Sequence, residues 1–179
     1  MSVSISEENV WHICKYFKEK EPTLLSECYA VFISNEKQSI PLWNQRASTD
    51  EQDGLVIWDY HVIFIHKAKD GPLVYDLDSK TVFPCNFEDY QNKVLHSEDK
   101  ILSQFHRLFR VIEAENFLDS FASDRTHMIK DGKWIKPPPI YQPICTLTST
   151  NNLHYFIDMK SKDVPGQVLN YNDFVSQFS

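Results

Sequence analysis

The sequence predicts an α+β fold, a largely antiparallel central sheet flanked by helices, and three observations carry that expectation. Residues 54–67 (GLVIWDYHVIFIHK) form an apolar run in which both alternating faces are hydrophobic, the pattern of a strand covered on both sides. Residues 72–78 (PLVYDLD) follow it after Lys69-Asp70-Gly71, which is turn chemistry, so the two runs fold back as a hairpin. Near the N-terminus, Val10, Trp11, Cys14 and Phe17 recur at helical spacing.

Taken in order, the first helix starts at Ser6 or Glu7, where a serine followed by Glu7 and Glu8 gives an N-cap with acids in the first turn. Pro22 is the furthest point it can reach. Residues 28–34 (CYAVFIS) read as a strand, Asn35-Glu36-Lys37 as a turn, and residues 40–43 as a short strand at an edge, because Pro41 donates no hydrogen bond. Residues 44–53 (NQRASTDEQD) are a polar surface loop, and residues 55–65 are one central strand. After the hairpin come helical segments at 87–95 and near 97–105, the second capped by Ser97, a strand at 108–112 and a helix at 114–121. Residues 136–143 are extended because of Pro137-Pro138-Pro139, and residues 172–178 form a short amphipathic helix capped by Asn172.

The totals narrow the function. A length of 179 residues suits one domain spanning 1–179. With 18 basic against 25 acidic residues and a net charge of −7, nucleic acid is excluded as a partner. No apolar run reaches the ~20 residues of a membrane span, and the N-terminus lacks a basic region followed by an apolar one. The chain is therefore expected in the cytoplasm or nucleus. The pattern demands nothing beyond a monomer. Cys14, Cys28, Cys85 and Cys145 form no C-x-x-C pair and read as reduced thiols, and His61 and His66 point to opposite faces of their strand, so no metal site is expected.

The chemistry lies at Asp59 and His61, two polar side chains inside the central run and on one face of it. A polar group buried without a partner costs ~2–7 kcal/mol. If the hairpin closes with His66 opposite Gly71 around a four-residue loop, one of several registers the turn allows, His61 falls opposite Asp76. A carboxylate there accepts from one ring nitrogen and leaves the other to face a nucleophile. The same pairing is also compatible with a buried His–Asp pair of purely structural role.

Residues 7–11 (EENVW), 27–36 (ECYAVFISNE), 56–62 (VIWDYHV), 75–78 (YDLD), 83–85 (FPC), 109–112 (FRVI), 121–128 (FASDRTHM) and the proline run occur in an order that resembles the protein N-terminal glutamine amidohydrolases of eukaryotes. Those enzymes convert an N-terminal glutamine to glutamate in the N-degron pathway. The resemblance covers nearly the whole chain. It implies a papain-like fold with a nucleophilic cysteine at a helix start, a histidine on a strand and an aspartate on the next strand. Carried over, the histidine is His61 and the aspartate Asp76; the nucleophile's position, directly before EEN, is held by Ser6.

The departure at Ser6 matters, because a thiol is driven to thiolate by a helix N-terminus and a histidine whereas a serine hydroxyl is not. Ser6 also reads as an ordinary N-cap. Cys28 is the alternative nucleophile, though it heads an apolar strand, where a cysteine is usually inert. The resemblance implies proteins or peptides with an N-terminal glutamine as partners, and no cofactor. Asp59 and Asp124 are candidates for recognising the free α-ammonium, with Asp59 equally able to anchor backbone; Arg125 and His127 read as functional, surface or loop-bracing residues. Two rivals stand beside the amidohydrolase: a protein that captures N-terminal glutamine without turnover, and a cysteine peptidase that cuts the backbone.

Overall fold

The computed structural model describes residues 5–49, 53–134 and 137–179. Helix α1 (Ser6–Lys20) turns Val10, Cys14 and Phe17 inward and stops two residues short of Pro22, where Pro22–Glu27 winds into a tighter 3₁₀ turn. There follow β1 (Cys28–Ser34), β2 (Ile40–Leu42), β3 (Val56–Trp58), β4 (His61–Ala68), β5 (Gly71–Tyr75) and β6 (Cys85–Asn86). Helix α2 (Phe87–Tyr90) runs on into a wider turn at Gln91–Leu95. Next come β7 (Leu108–Glu113), α3 (Ala114–Ser120), the small hairpin of β8 (Ile129–Lys130) and β9 (Lys133–Trp134), α4 (Leu153–Ile157), β10 (Gln167–Leu169) and α5 (Tyr171–Phe178).

The main sheet has six strands in the order β10-β7-β1-β4-β5-β6, and every neighbouring pair is antiparallel. Alternation along β1 and β4 divides the core in two. Val31, Ile33, Ile63 and Ile65 face Tyr90, Phe174 and Phe178. Ala30, Phe32, Val62 and Phe64 face Val10, Cys14, Phe17, Phe117 and Phe156. Helices α2 and α5 thus cover one face and α1, α3 and α4 the other, which fits the α+β expectation and leaves β4 covered on both sides.

Several expectations need correction. The central run is not one strand: the chain bends at Asp59-Tyr60, so β3 pairs with β2 in a separate two-stranded sheet and only β4 belongs to the main one. The hairpin is tighter by two residues, with Ala68 opposite Gly71 and Phe64 opposite Tyr75, because Lys69-Asp70 alone makes the turn. The loop at 44–53 is not wholly on the surface, since Gln45 is fully buried and accepts from the Trp58 indole at 3.2 Å; its residues 50–52 lie outside the described residues, as does Lys136 of the extended proline segment. Residues 97–105 make two short 3₁₀ turns, not a helix, though Ser97 does cap the first by accepting from the Asp99 N–H. The last helix is capped by Asn170, not Asn172, through a bond from the Asp173 N–H.

Phe174 fixes α5 to the sheet: its ring stacks on Phe109 with centroids 4.1 Å apart and planes 6° from parallel, and it is fully buried. Phe174→Ala is expected to cost about 3–5 kcal/mol. Urea unfolding checks this, and a loss below about 1 kcal/mol would contradict the packing described.

Candidate active site

Helix α1 and strand β4 meet at their N-terminal ends. Ile5 occupies the cap position without a side-chain bond, and Ser6 is the first helical residue, 3% exposed. Its Oγ accepts from the Val62 N–H at 3.2 Å. The N-cap reading of Ser6 therefore fails, since its hydroxyl reaches across to the neighbouring strand. The helix end adds partial positive charge at this point.

One residue before Val62, His61 is fully buried and its Nε2 lies 3.0 Å from Asp76 Oδ1. A carboxylate only accepts, so Nε2 carries the proton and a neutral ring keeps its lone pair on Nδ1. Nδ1 is buried and has no hydrogen-bond partner among the described residues. Trp58 stacks on the imidazole, with centroids 5.4 Å apart and planes 26° from parallel, which fixes the ring's tilt.

Asp76 reaches His61 by a diagonal and not by direct opposition. In the observed register the residue facing His61 would be numbered 78, and β5 ends at Tyr75. The two-residue correction is even, so Asp76 stays on the expected face. Its carboxylate is held from three sides: besides His61, Oδ1 accepts from the Asp78 N–H at 3.0 Å and Oδ2 accepts from the Tyr90 hydroxyl at 2.8 Å. Burial pushes the Asp76 pKa up, but the His61 charge and the bonds from His61, Tyr90 and Asp78 outweigh it and hold the pKa below the usual carboxylate value. Burial likewise opposes a charged His61, yet the charge and bond of Asp76, with the charge of Asp78, raise its pKa.

Ligand atoms of His61, Asp76 and Asp78 lie within 4.8 Å of one another, which is the closest approach to a metal site among the described residues. Three donors already occupy the Asp76 oxygens, so the set is organised for hydrogen bonding. A narrow cleft beside it is lined by Ser6, Asn9, Val10, Ile13, Val62 and the 75–78 segment.

The sequence missed Tyr90, Glu7, Glu8 and the true placement of Arg125. Glu7 and Glu8 are not solvated first-turn acids but wholly buried. Glu8 takes a two-pronged ion pair from Arg125, at 2.8 and 2.9 Å. Arg125 also donates to the carbonyls of Pro139 and Tyr141, and at 3% exposed it is a brace and not a surface residue. Glu7 accepts from the Tyr60 hydroxyl at 3.0 Å. The FASDRTHM stretch gave no usable signal, because Arg125 lies among the polar residues Ser123, Asp124, Thr126 and His127 and nothing in it named Glu8 as the partner.

The weaker candidates separate from the centre. Asp59 sits in the bend and not on the His61 strand face; its carboxylate accepts from the Tyr60 N–H, while its carbonyl accepts from the Ser34 hydroxyl. Asp124 braces its own loop by accepting from the Thr126 N–H and hydroxyl and from Asn151. The side chain of His127 lies outside the described residues. Cys28 donates its thiol to the Leu24 carbonyl, and burial pushes its pKa up to about 12, so it does not serve as a nucleophile.

A helix start, an imidazole with one free nitrogen and a fully bonded carboxylate together make the constellation used by hydrolases that attack through a side-chain nucleophile. The family model for N-terminal glutamine amidase matches residues 3–178, and the chain belongs to that family. The chain is 47% identical over 175 residues to the protein N-terminal glutamine amidohydrolase of Homo sapiens, covering 96% of this chain and 84% of that one. The similarly named proteins of Bos taurus, 47% identical over 176 residues, and Drosophila grimshawi, 45% over 174, are covered to 84% as well, by 97% and 96% of this chain.

Tyr90→Phe is expected to weaken the hold on the Asp76 charge. A carboxylate with a depressed folded pKa contributes stability above its unfolded pKa and loses it as pH falls through the folded value. The variant should therefore be less stable by about 1–3 kcal/mol at pH 7, with the deficit shrinking in acid. Urea midpoints across pH 2–7 read this directly, and a pH-independent deficit would refute it.

Proposed function

We propose that this site deamidates an N-terminal glutamine of a protein or peptide to glutamate, with residue 6 at the nucleophile position, His61 as base and acid, and Asp76 as the group that orients and charges His61. The observation that carries this reading is the free, buried Nδ1 of His61 beside the start of α1, with Nε2 held by Asp76. The order of these groups, helix start, central strand, then the end of the next strand, supports the papain-like arrangement that the resemblance implies. One domain acting as a monomer suffices.

In the proposed reaction Nδ1 takes the proton of the nucleophile, which attacks the side-chain carboxamide carbon. His61 returns that proton to the leaving nitrogen, and ammonia departs. The acyl intermediate remains on residue 6. Water then attacks it, Nδ1 taking its proton, and the glutamate side chain is released with the nucleophile restored. Asp76 stabilises the imidazolium in both steps, and Trp58 keeps the ring in plane.

Ser6 supports a second reading, capture of N-terminal glutamine with little turnover. Its Oγ already accepts a bond from Val62, and a hydroxyl in a helix-start frame lacks the thiolate's readiness to attack. Ammonia release from a glutamine-first peptide separates the two, run on this chain and on Ser6→Cys with glutamine-second and asparagine-first controls. The expected outcome is release by Ser6→Cys from the glutamine-first peptide alone, which makes the site an amidohydrolase site lacking only its thiol and assigns this chain to capture; release by both assigns turnover to this chain as well, and release by neither would overturn the amidohydrolase reading. In the Ser6→Cys background, Asp76→Asn should cut turnover by roughly 10²–10⁴, and unchanged turnover would remove Asp76 from the mechanism. Peptides cut in their backbone would point to a peptidase.

A further inference from the structure

Two hydrogen bonds bracket His61. Tyr60, the residue before it, gives its hydroxyl to Glu7 Oε2 at 3.0 Å, and Val62, the residue after it, gives its N–H to Ser6 Oγ at 3.2 Å. Residues 6 and 7 are consecutive at the start of α1, so this first turn is stitched to the bend before β4 and to β4 itself, on either side of the imidazole. One stitch uses the nucleophile position itself, and the other uses a carboxyl with no place in the proposed chemistry.

We propose that Glu7 and Tyr60 are positioning residues for the reaction, holding residue 6 in register with His61, and that the pair works only while the Glu7 carboxyl keeps its proton. This rests on the assignment of residue 6, His61 and Asp76 made above. A neutral carboxyl holds the stitch without placing a charge beside a developing anion. An ionised one puts a full negative charge one residue from the nucleophile, within the field of His61, and works against a thiolate there.

The surroundings of Glu7 favour the neutral form. Glu8 adjoins it on α1, Tyr60 and His61 face it from the segment entering β4, Asp78 from the segment after β5, and Tyr141 from the segment after the proline run. Of the acids, Glu8 is answered by Arg125. Burial pushes the Glu7 pKa up to about 8; its own backbone bond and the Tyr60 bond oppose this, while Glu8 and Asp78 add to it. The alternative, a merely structural buried pair, predicts no link between Glu7 and the ionisation of residue 6.

The test uses Ser6→Cys as parent, with Glu7→Gln, Glu7→Ala or Tyr60→Phe added. Alkylation of the introduced thiol by iodoacetamide is followed from pH 5 to 9.5, with the unmodified chain as background for its other cysteines. Ammonia release from a glutamine-first peptide is measured over the same range. The parent should show an inflection near pH 8 in both profiles, and Glu7→Gln, which keeps the shape but cannot ionise, should lose it while keeping more turnover than Glu7→Ala. Tyr60→Phe should lower kcat by about tenfold, as expected for one lost hydrogen bond, with KM little changed.

An inflection that survives Glu7→Gln, or a Tyr60→Phe variant that lowers kcat and raises KM in step with a loss of folded protein, would overturn the proposal. If the parent releases no ammonia, the amidohydrolase reading fails, yet alkylation still scores Glu7. An inflection removed by Glu7→Gln then supports the electrostatic link, and one that remains refutes it.

Discussion

Strand β4 is packed against a core on each face, and much of the rest of the structure answers to that constraint. Its first residue is a histidine, and it is buried together with the polar groups around it. Each must find its partner within the protein. The partners come from elements that the fold would not otherwise bring together. The 76–78 segment supplies Asp76, α2 supplies the Tyr90 hydroxyl, and α1 supplies Ser6 and Glu7. The bend at Asp59-Tyr60 is part of the same solution, because it takes Trp58 out of line with the strand and brings its ring over the imidazole. A continuous strand would keep Trp58 on the opposite pleat from His61.

Three carboxyl groups lie close together in this buried region, and each is accommodated differently. Asp76 remains charged because three donors converge on it. Glu8 meets a planar guanidinium at both its oxygens. Glu7 has a phenol and the company of other acids, and burial pushes its pKa up to about 8. The region therefore carries less negative charge than its composition suggests, which matters for a reaction that develops negative charge on its substrate.

The sequence revealed the sheet-forming runs and the pairing of His61 with Asp76, and the reasons are local ones. A two-residue shift of the hairpin preserves the face, so a wrong register still led to the right partner. A shift of one would have sent Asp76 to the other side of the sheet. The break at Asp59 was hidden because Val56, Ile57 and Trp58 have the same β-branched and aromatic character as the strand beyond it, and the bend comes from pairing with β2, a tertiary effect. Tyr90 was invisible as a ligand because nothing local distinguishes it from a core tyrosine. Glu7 and Glu8 were misjudged for a related reason: acids in a first turn are normally there for the helix dipole, and only the arrival of Tyr60 and Arg125 explains why these two are buried. Strands as short as β6, β8 and β9, at two residues each, leave almost no periodic trace.

The ion pair between Glu8 and Arg125 joins residues 117 positions apart, and the same guanidinium holds the carbonyls of Pro139 and Tyr141. During synthesis the N-terminal helix therefore leaves the ribosome long before its counter-ion exists. Until residue 125 has emerged, Glu8 has nothing to neutralise it in the position it finally occupies, and a buried lone carboxylate is too costly to form early. The helix can form as it emerges, but its first turn cannot settle onto the sheet until most of the chain is made. Burial of the first turn of α1 and closure of the 121–141 segment over it are thus coupled, since neither Glu8 nor Arg125 is buried cheaply without the other.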